Sequence, residues 1–371
     1  MFGPWVSRSL TGSARGESLL LLAEYSPYSA GTFVTCLEQL APAARSVGLL
    51  PVLGLPISDE PRTWHARLSA AGWTIAFLQR PWGVRSQFIA HSARLVRSTK
   101  PALIHVNFHA ETLVALMIAE PLARARRIMH WHNPPTARGA MLTALDVVCA
   151  PVHLTAGEWL AEAMKLRLPR AASRIVPVPN GVLIPKEVVV PRNSTLLTIS
   201  AFRSQKDPDT LLAALEILRE NGVPFKLIWA GVGPDRERVE KLSAEKKLSR
   251  HVEFLGAVDN VGLLYERCSI FVLSTHYEGQ PYVVLEAMAH CRPVVATDVP
   301  GVRECLGTDA EMLCVPPRDP QALARRLMLF LGDPRLAWDT AERLRVRAMS
   351  VYSVGRWVER VAEVYHHLLA T

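Results

Sequence analysis

No apolar run in this sequence approaches the roughly 20 residues needed to cross a bilayer; the runs at 19–23 and 113–119 are far too short. Ahead of Leu19 there is no apolar stretch of the kind a signal peptide carries, only Arg8 and Arg15 in a segment that reads as a loose tail. The expected location is therefore the cytoplasm. Cys36, Cys149, Cys268, Cys291, Cys305 and Cys314 form no C-x-x-C and no zinc-like spacing with the histidines. They read as small core residues in a reducing compartment, neither metal ligands nor a disulfide framework. Long runs of like charge are missing too, as is any basic motif interleaved with aromatics, which argues against a nucleic-acid partner despite the net charge of +8. Gly231-Val232-Gly233 lacks the third glycine and the downstream acid of a dinucleotide fingerprint.

What is present is enough apolar material for two cores: 371 residues, 49% of them hydrophobic. Apolar strand candidates at 18–25, 49–55, 73–78, 102–108, 127–132, 147–152 and 174–178 alternate with helical stretches, one of them at 32–47. A second series follows at 196–200, 225–230, 252–255, 270–273, 293–296 and 312–315. Such alternation implies α/β architecture, parallel sheets with helices on both faces. Asn180-Gly181 marks a turn ahead of a motif-poor segment, which puts a boundary near 187 and divides the chain into 1–186, 187–352 and an amphipathic helix at 353–371. The charge is divided as well: residues 1–185 hold 18 Lys and Arg against 10 Asp and Glu, whereas 186–371 hold 24 of each. The excess fits an anionic membrane surface, a phosphate-bearing acceptor or an arginine-rich solvated face.

The most informative stretch is 270–303, which reads as strand, loop, helix, strand. Glu278 falls in the loop at the strand's carboxyl end, where open parallel sheets bind ligands. Pro281 suits a first helical turn, and Glu286 lies one turn inside the helix that follows. Gly279 permits close approach of a ligand, and the amides around Tyr282, Val283 and Val284 make a positive helix terminus suited to phosphate. Either acid alone is compatible with a solvated surface beside an ordinary crossover. Framed as E-G-x-P-x-x-x-x-E-A-M-A and followed by P-V-V-A-T-D-V-P-G-V-R-E, the pair resembles the family-4 retaining glycosyltransferases.

That resemblance implies the GT-B fold, two doubly wound Rossmann-like domains facing across a cleft. It places Glu278 against a donor sugar and Glu286 on a ribose, and sets the backbone of Gly279, Gln280, Pro281, Tyr282 and Val283 at a diphosphate. In the A-F-R-S-Q-K segment it puts a cation at Lys206, while the usual Arg has moved from the place of Ala201 to Arg203; in an extended segment, residues two apart share a face. Of the paired glycines common after the first strand, this chain keeps Gly31, following Ser29 and Ala30. His132 matches a histidine between donor and acceptor, with His130 alternating onto the same face as competitor.

Asp207-Pro208-Asp209 imitates a D-x-D metal signature but reads as a helix start, so no metal is expected. Thr297, Asp298 and Gly301 read as scaffold. The implied activity is metal-independent transfer of a sugar from a nucleoside diphosphate to a glycan, lipid-linked or other acceptor, with retention. The alternatives are an epimerase or phosphorylase on a similar fold, and a catalytically silent relative that binds a sugar nucleotide or serves as a scaffold.

Overall fold

The structure, a computed structural model, describes residues 17–23, 31–57, 63–78, 85–108, 110–120, 125–134, 149, 151–191 and 193–370. Strands β1 (Glu17–Ala23), β2 (Leu49–Pro56), β3 (Thr74–Leu78), β4 (Leu103–Asn107), β5 (Arg126–Trp131), β6 (Val152–Thr155) and β7 (Ile175–Pro177) form one sheet in the order β3-β2-β1-β4-β5-β6-β7. Strands β8 (Thr195–Ile199), β9 (Lys226–Ala230), β10 (Val252–Gly256), β11 (Ile270–Leu273), β12 (Val294–Thr297) and β13 (Cys314–Val315) form a second, ordered β10-β9-β8-β11-β12-β13. Every pairing is parallel.

Parallel sheets covered on both faces account for the unbroken apolar runs. In β1, Leu20 and Leu22 enter the core on one face, while Leu19, Leu21 and Ala23 enter the core on the other. The second sheet has its own core, built around Leu196, Leu197, Phe271 and Val295. All six cysteines are buried and free.

The helix starts follow local chemistry. Asp207 stands at N-cap with Pro208 behind it, and its carboxylate accepts from the Thr210 amide at 3.3 Å. Asp319-Pro320 and Asp333-Pro334 repeat the device, accepting from Ala322 and Leu336. The last helix, Val354–Ala370, buries Val354, Trp357, Val361 and Tyr365 in the same core as Val34, Leu37 and Leu40 of the helix Thr32–Ser46. Its entry is pinned by Val182, which donates to Tyr352 C=O and accepts from the Val354 amide at 3.0 Å. Among the described residues no helix is long and apolar enough to cross a membrane.

Two strands need comment beside the apolar runs. The expectation at 147–152 falls largely outside the described residues; the strand described there is β6 at Val152–Thr155, whose His153 and Thr155 are polar yet buried, and Trp131 Nε1 donates to His153 Nδ1 at 3.0 Å. Of 312–315 only Cys314 and Val315 are strand, because Ala310–Leu313 closes as a helical turn. Four apolar residues do not distinguish the two conformations.

Candidate active site

In the second sheet the strand order reverses between β8 and β11, and the loops leaving those two strands carry Lys206 and Glu278. Such a switch point is where open α/β sheets place a ligand crevice. The loops are zipped by backbone and side-chain bonds: the His276 amide donates to Gln205 C=O at 2.8 Å, and Ser274 Oγ to Lys206 C=O at 2.9 Å. Glu278, 7% exposed, forms an ion pair with Lys206 Nζ and lies 3.1 Å from the Thr275 hydroxyl. Two residues expected to serve different parts of a donor are thus one coupled unit. Thr275 is held in turn by Thr297, whose hydroxyl donates to the Thr275 C=O at 2.7 Å.

Arg203 is not brought into this cluster. It is exposed, and its amide donates to the Ala201 C=O at 2.9 Å, so 201–203 turns back on itself. Arg203 itself is extended, at φ −141° and ψ 151°, and its bond to Ala201 bends the chain at the buried Phe202 between them.

After Glu278 the chain passes close under the first sheet's loops. A Cβ on Gly279 would stand 1.7 Å from the His132 C=O, and one on Gly301 would stand 1.9 Å from the Gly279 C=O, so backbone packs on backbone at both. Trp159 Nε1 donates to Gly279 C=O at 2.6 Å. Gln280 Oε1 accepts from the Asn180 amide at 2.5 Å, leaving Gln280 Nε2 without an acceptor among the described residues. Pro281 is the N-cap rather than a first-turn residue, with ψ of 117°, and the helix is Tyr282–Ala289. The Val284 amide already donates to Pro281 C=O at 3.1 Å, so it is not one of the unsatisfied terminal amides.

Glu286, on that helix, accepts from Tyr265 OH at 3.0 Å and from the Thr32 hydroxyl across the cleft. Burial raises its pKa, and the two hydroxyls act against the rise. Thr32 opens the helix whose N-cap is Gly31, at an ordinary φ of −71°. Ser29 and Ala30 lie outside the described residues.

His132 and His130 follow one another on β5 and its exit, and both belong to a column of rings that is half-buried at Phe108 and His132 and fully buried at His130 and His105. Phe108 stacks on His132 at 4.3 Å, His132 on His130 at 4.4 Å, and His130 on His105 at 5.5 Å. The column ends where His105 Nδ1 meets Tyr365 OH at 2.7 Å. Asn107 Oδ1 lies 3.2 Å from His132 Nε2, whereas neither nitrogen of His130 has a partner among the described residues. Burial drives all three imidazoles to the neutral form: His132 to about 4, against an opposing interaction with Asn180, His105 to about 3, and His130 well below its ordinary value.

Thr32, Tyr265, Thr275, Trp159, Asn180 and Glu304 enter the site without a motif of their own. Two of them have a sequence signal: Asn180 stands in the Asn-Gly turn, and Glu304 closes the P-V-V-A-T-D-V-P-G-V-R-E frame. Glu304 accepts from the amides of Glu158 and Trp159 at 2.8 and 2.9 Å, capping the helix Glu158–Arg167 from the other side of the cleft. The described residues include no group of His, Cys, Asp and Glu arranged to hold a metal.

Two doubly wound parallel sheets whose exit loops meet in this way define an α/β protein of the GT-B fold. The fold matches that of HepE from Anabaena, solved with UDP-glucose, at a TM-score of 0.78 and 20% identity over 94% of this chain and 99% of that one. Residues 192–349 match glycosyl transferases group 1, and that segment of the chain belongs to the family. An uncharacterized glycosyltransferase of Haemophilus influenzae is 26% identical over 49% of this chain and 51% of its own. A Campylobacter jejuni alpha-1,4-N-acetyl-D-galactosaminyltransferase, named for an undecaprenol-diphosphate-linked acceptor, is 28% identical over 47% and 49%. This chain spans about half the length of these curated relatives.

Proposed function

We propose that the chain is a retaining, metal-independent glycosyltransferase that moves a sugar from a nucleoside diphosphate to a hydroxyl of a glycan, lipid-linked or small-molecule acceptor. The observation that carries this reading is the Lys206–Glu278 pair at the β8/β11 switch point, followed directly by the helix that bears Glu286. Breaking the bond between the sugar and the diphosphate leaves growing negative charge on the diphosphate. A preorganised cation with the amino end of a helix beside it stabilises that charge more than it stabilises the bound donor. Lys206 supplies the cation and the 279–283 backbone the amides. Arg203 joins them if its exposed side chain turns inward on binding. Glu278 faces the reacting sugar, and Glu286 exchanges its Thr32 hydroxyl for those of the donor's ribose. His132, held neutral, is available to orient a hydroxyl between donor and acceptor. The basic first half receives an anionic acceptor or a membrane bearing it.

HepE was solved with UDP-glucose, which makes UDP-sugars the first donors to test, and the Campylobacter relative brings undecaprenol-diphosphate-linked glycans into the acceptor panel. Labelled UDP-, GDP- and ADP-sugars are incubated with and without acceptors, in the presence of EDTA, and the product's anomeric configuration is read by NMR. The expected result is consumption of one donor, undiminished by EDTA, with the donor's configuration kept. Binding without turnover would instead favour a silent sugar-nucleotide binder, a reading supported by Ala201 in the place of the family's Arg. Neither binding nor turnover would end both readings.

A further inference from the structure

At the opposite end of the second sheet, beneath the amino ends of β8, β11 and β12, lies a cavity of about 460 Å³. That size suits a small-molecule site, for which volumes of about 300–1,000 Å³ are usual. Arg292, Ser194, Ser269, Pro191, Phe330 and Trp338 are among the residues that line it. Arg292 is only 1% exposed; Glu266 acts on its charge from a distance, but no carboxylate forms an ion pair with it among the described residues. Its Nη2 donates to the Val189 C=O, while Nε has no acceptor among the described residues.

A buried guanidinium is costly unless its charge and its N–H groups are matched. Structural duties account for only part of this one. The carbonyl end of the helix Tyr282–Ala289 is already served by Arg345, which donates to the Ala289 C=O. Burial lowers the Arg292 pKa, yet an arginine stays charged in a protein. What remains is a fixed cation with an unused donor buried immediately behind the wall of a cavity, close to a serine hydroxyl and a half-buried indole.

We propose that this cavity is a second small-molecule site that takes a phosphate monoester, with Arg292 as its charged anchor and Trp338 as the wall against which the ester's body packs. The fork of a guanidinium matches phosphate oxygens. The site is separate from the cleft, since it lies at the amino ends of the strands whose carboxyl ends carry Lys206 and Glu278.

The test is calorimetric titration of the full chain with inorganic phosphate and with glucose 6-phosphate, the two probes distinguishing a bare oxyanion site from one that also uses the ester's body. Both are expected to bind, the sugar phosphate more tightly. Arg292→Gln should weaken binding at least tenfold. Ala337→Phe, which fills the cavity from its helical wall and leaves the Arg292–Val189 bond intact, should do the same and decides the matter if the arginine variant does not fold. Lys206→Ala, which acts on the cleft alone, should keep the binding event that Arg292→Gln weakens. Absence of binding by either probe, parental affinity in Ala337→Phe, or loss confined to Lys206→Ala would overturn the proposal; the last would put the phosphate in the cleft.

Discussion

Glu278 and Lys206 sit in a pocket where neither charge is cheap alone: their side chains are 8% and 17% exposed. Removing one partner of a buried pair typically costs about 3–5 kcal/mol, because the other is left uncompensated. Lys206→Ala should therefore lower stability in urea by about 3 kcal/mol as well as weaken nucleoside diphosphate binding. The double variant Lys206→Met with Glu278→Gln should regain most of the stability and none of the activity. If Lys206→Ala unfolds at the parental urea midpoint, the pair is not formed in solution. Glu278→Gln alone is expected to reduce kcat about 100- to 1,000-fold with donor KM little changed. Near-parental kcat on the true substrates would remove Glu278 from the chemistry.

The imidazole column makes a second prediction at this scale. A histidine whose pKa is depressed on folding binds fewer protons than the unfolded chain does between its folded value and about 6.5, so stability rises with pH across that window. For His132 the window runs from about 4 to about 6.5, and for His105 it begins at about 3. Acidification from pH 7 toward 4 should therefore cost up to about 1.4 kcal/mol per pH unit for each such group. Glu286, whose pKa is raised, works in the opposite direction, and His290, lowered to about 4, adds to the loss. Urea titrations of His130→Phe and the parent at several pH values isolate the column: the variant's decline should be shallower. Parallel curves would show that the column does not titrate on unfolding.

Between elements, the closest approach is backbone to backbone. The loop after β11 reaches the first sheet only because Gly279 offers no Cβ to the His132 C=O and Gly301 offers none to the Gly279 C=O. A carbonyl is not the end of a flexible side chain and has no rotamer to give up. Gly279→Ala is expected to displace the loop, break the Trp159–Gly279 bond and lower kcat/KM at least 100-fold while both sheets stay folded. Hydrogen exchange read over 274–284 checks this; unchanged protection there would contradict the contact. The loop–helix–strand order of this region was legible because the Ile-Phe-Val-Leu and Val-Val-Ala runs, buried on both faces, leave a plain apolar signature. The short strands were less so: the strand Val152–Thr155 hides His153 and Thr155 in ring and backbone contacts, and at 310–315 a helical turn and a strand share one apolar run.

Over the whole molecule the charge excess lies in the first half of the chain, while the Lys206–Glu278 pair lies in the second. If the first half meets an anionic surface, co-sedimentation with vesicles should need anionic lipid and fade as salt shortens the screening length, about 8 Å at physiological ionic strength. Equal binding to neutral vesicles, or none to either, would leave a solvated arginine-rich face.

Two properties of this protein are local enough to stand in the sequence itself: the alternation of buried strands with helices, and the framed Glu278/Glu286 pair at the exit of one strand. Both depend on neighbours within a few turns of chain, where period, capping and loop chemistry act. The tertiary structure decided what those residues touch. Thr32 and Glu286 are 254 positions apart, Lys206 and Glu278 are 72 apart, and His105 meets Tyr365 across 260. No pattern of residue types at such separations distinguishes a partner from a bystander, because closing the chain over those distances is a property of both sheets and the returning C-terminal helix together.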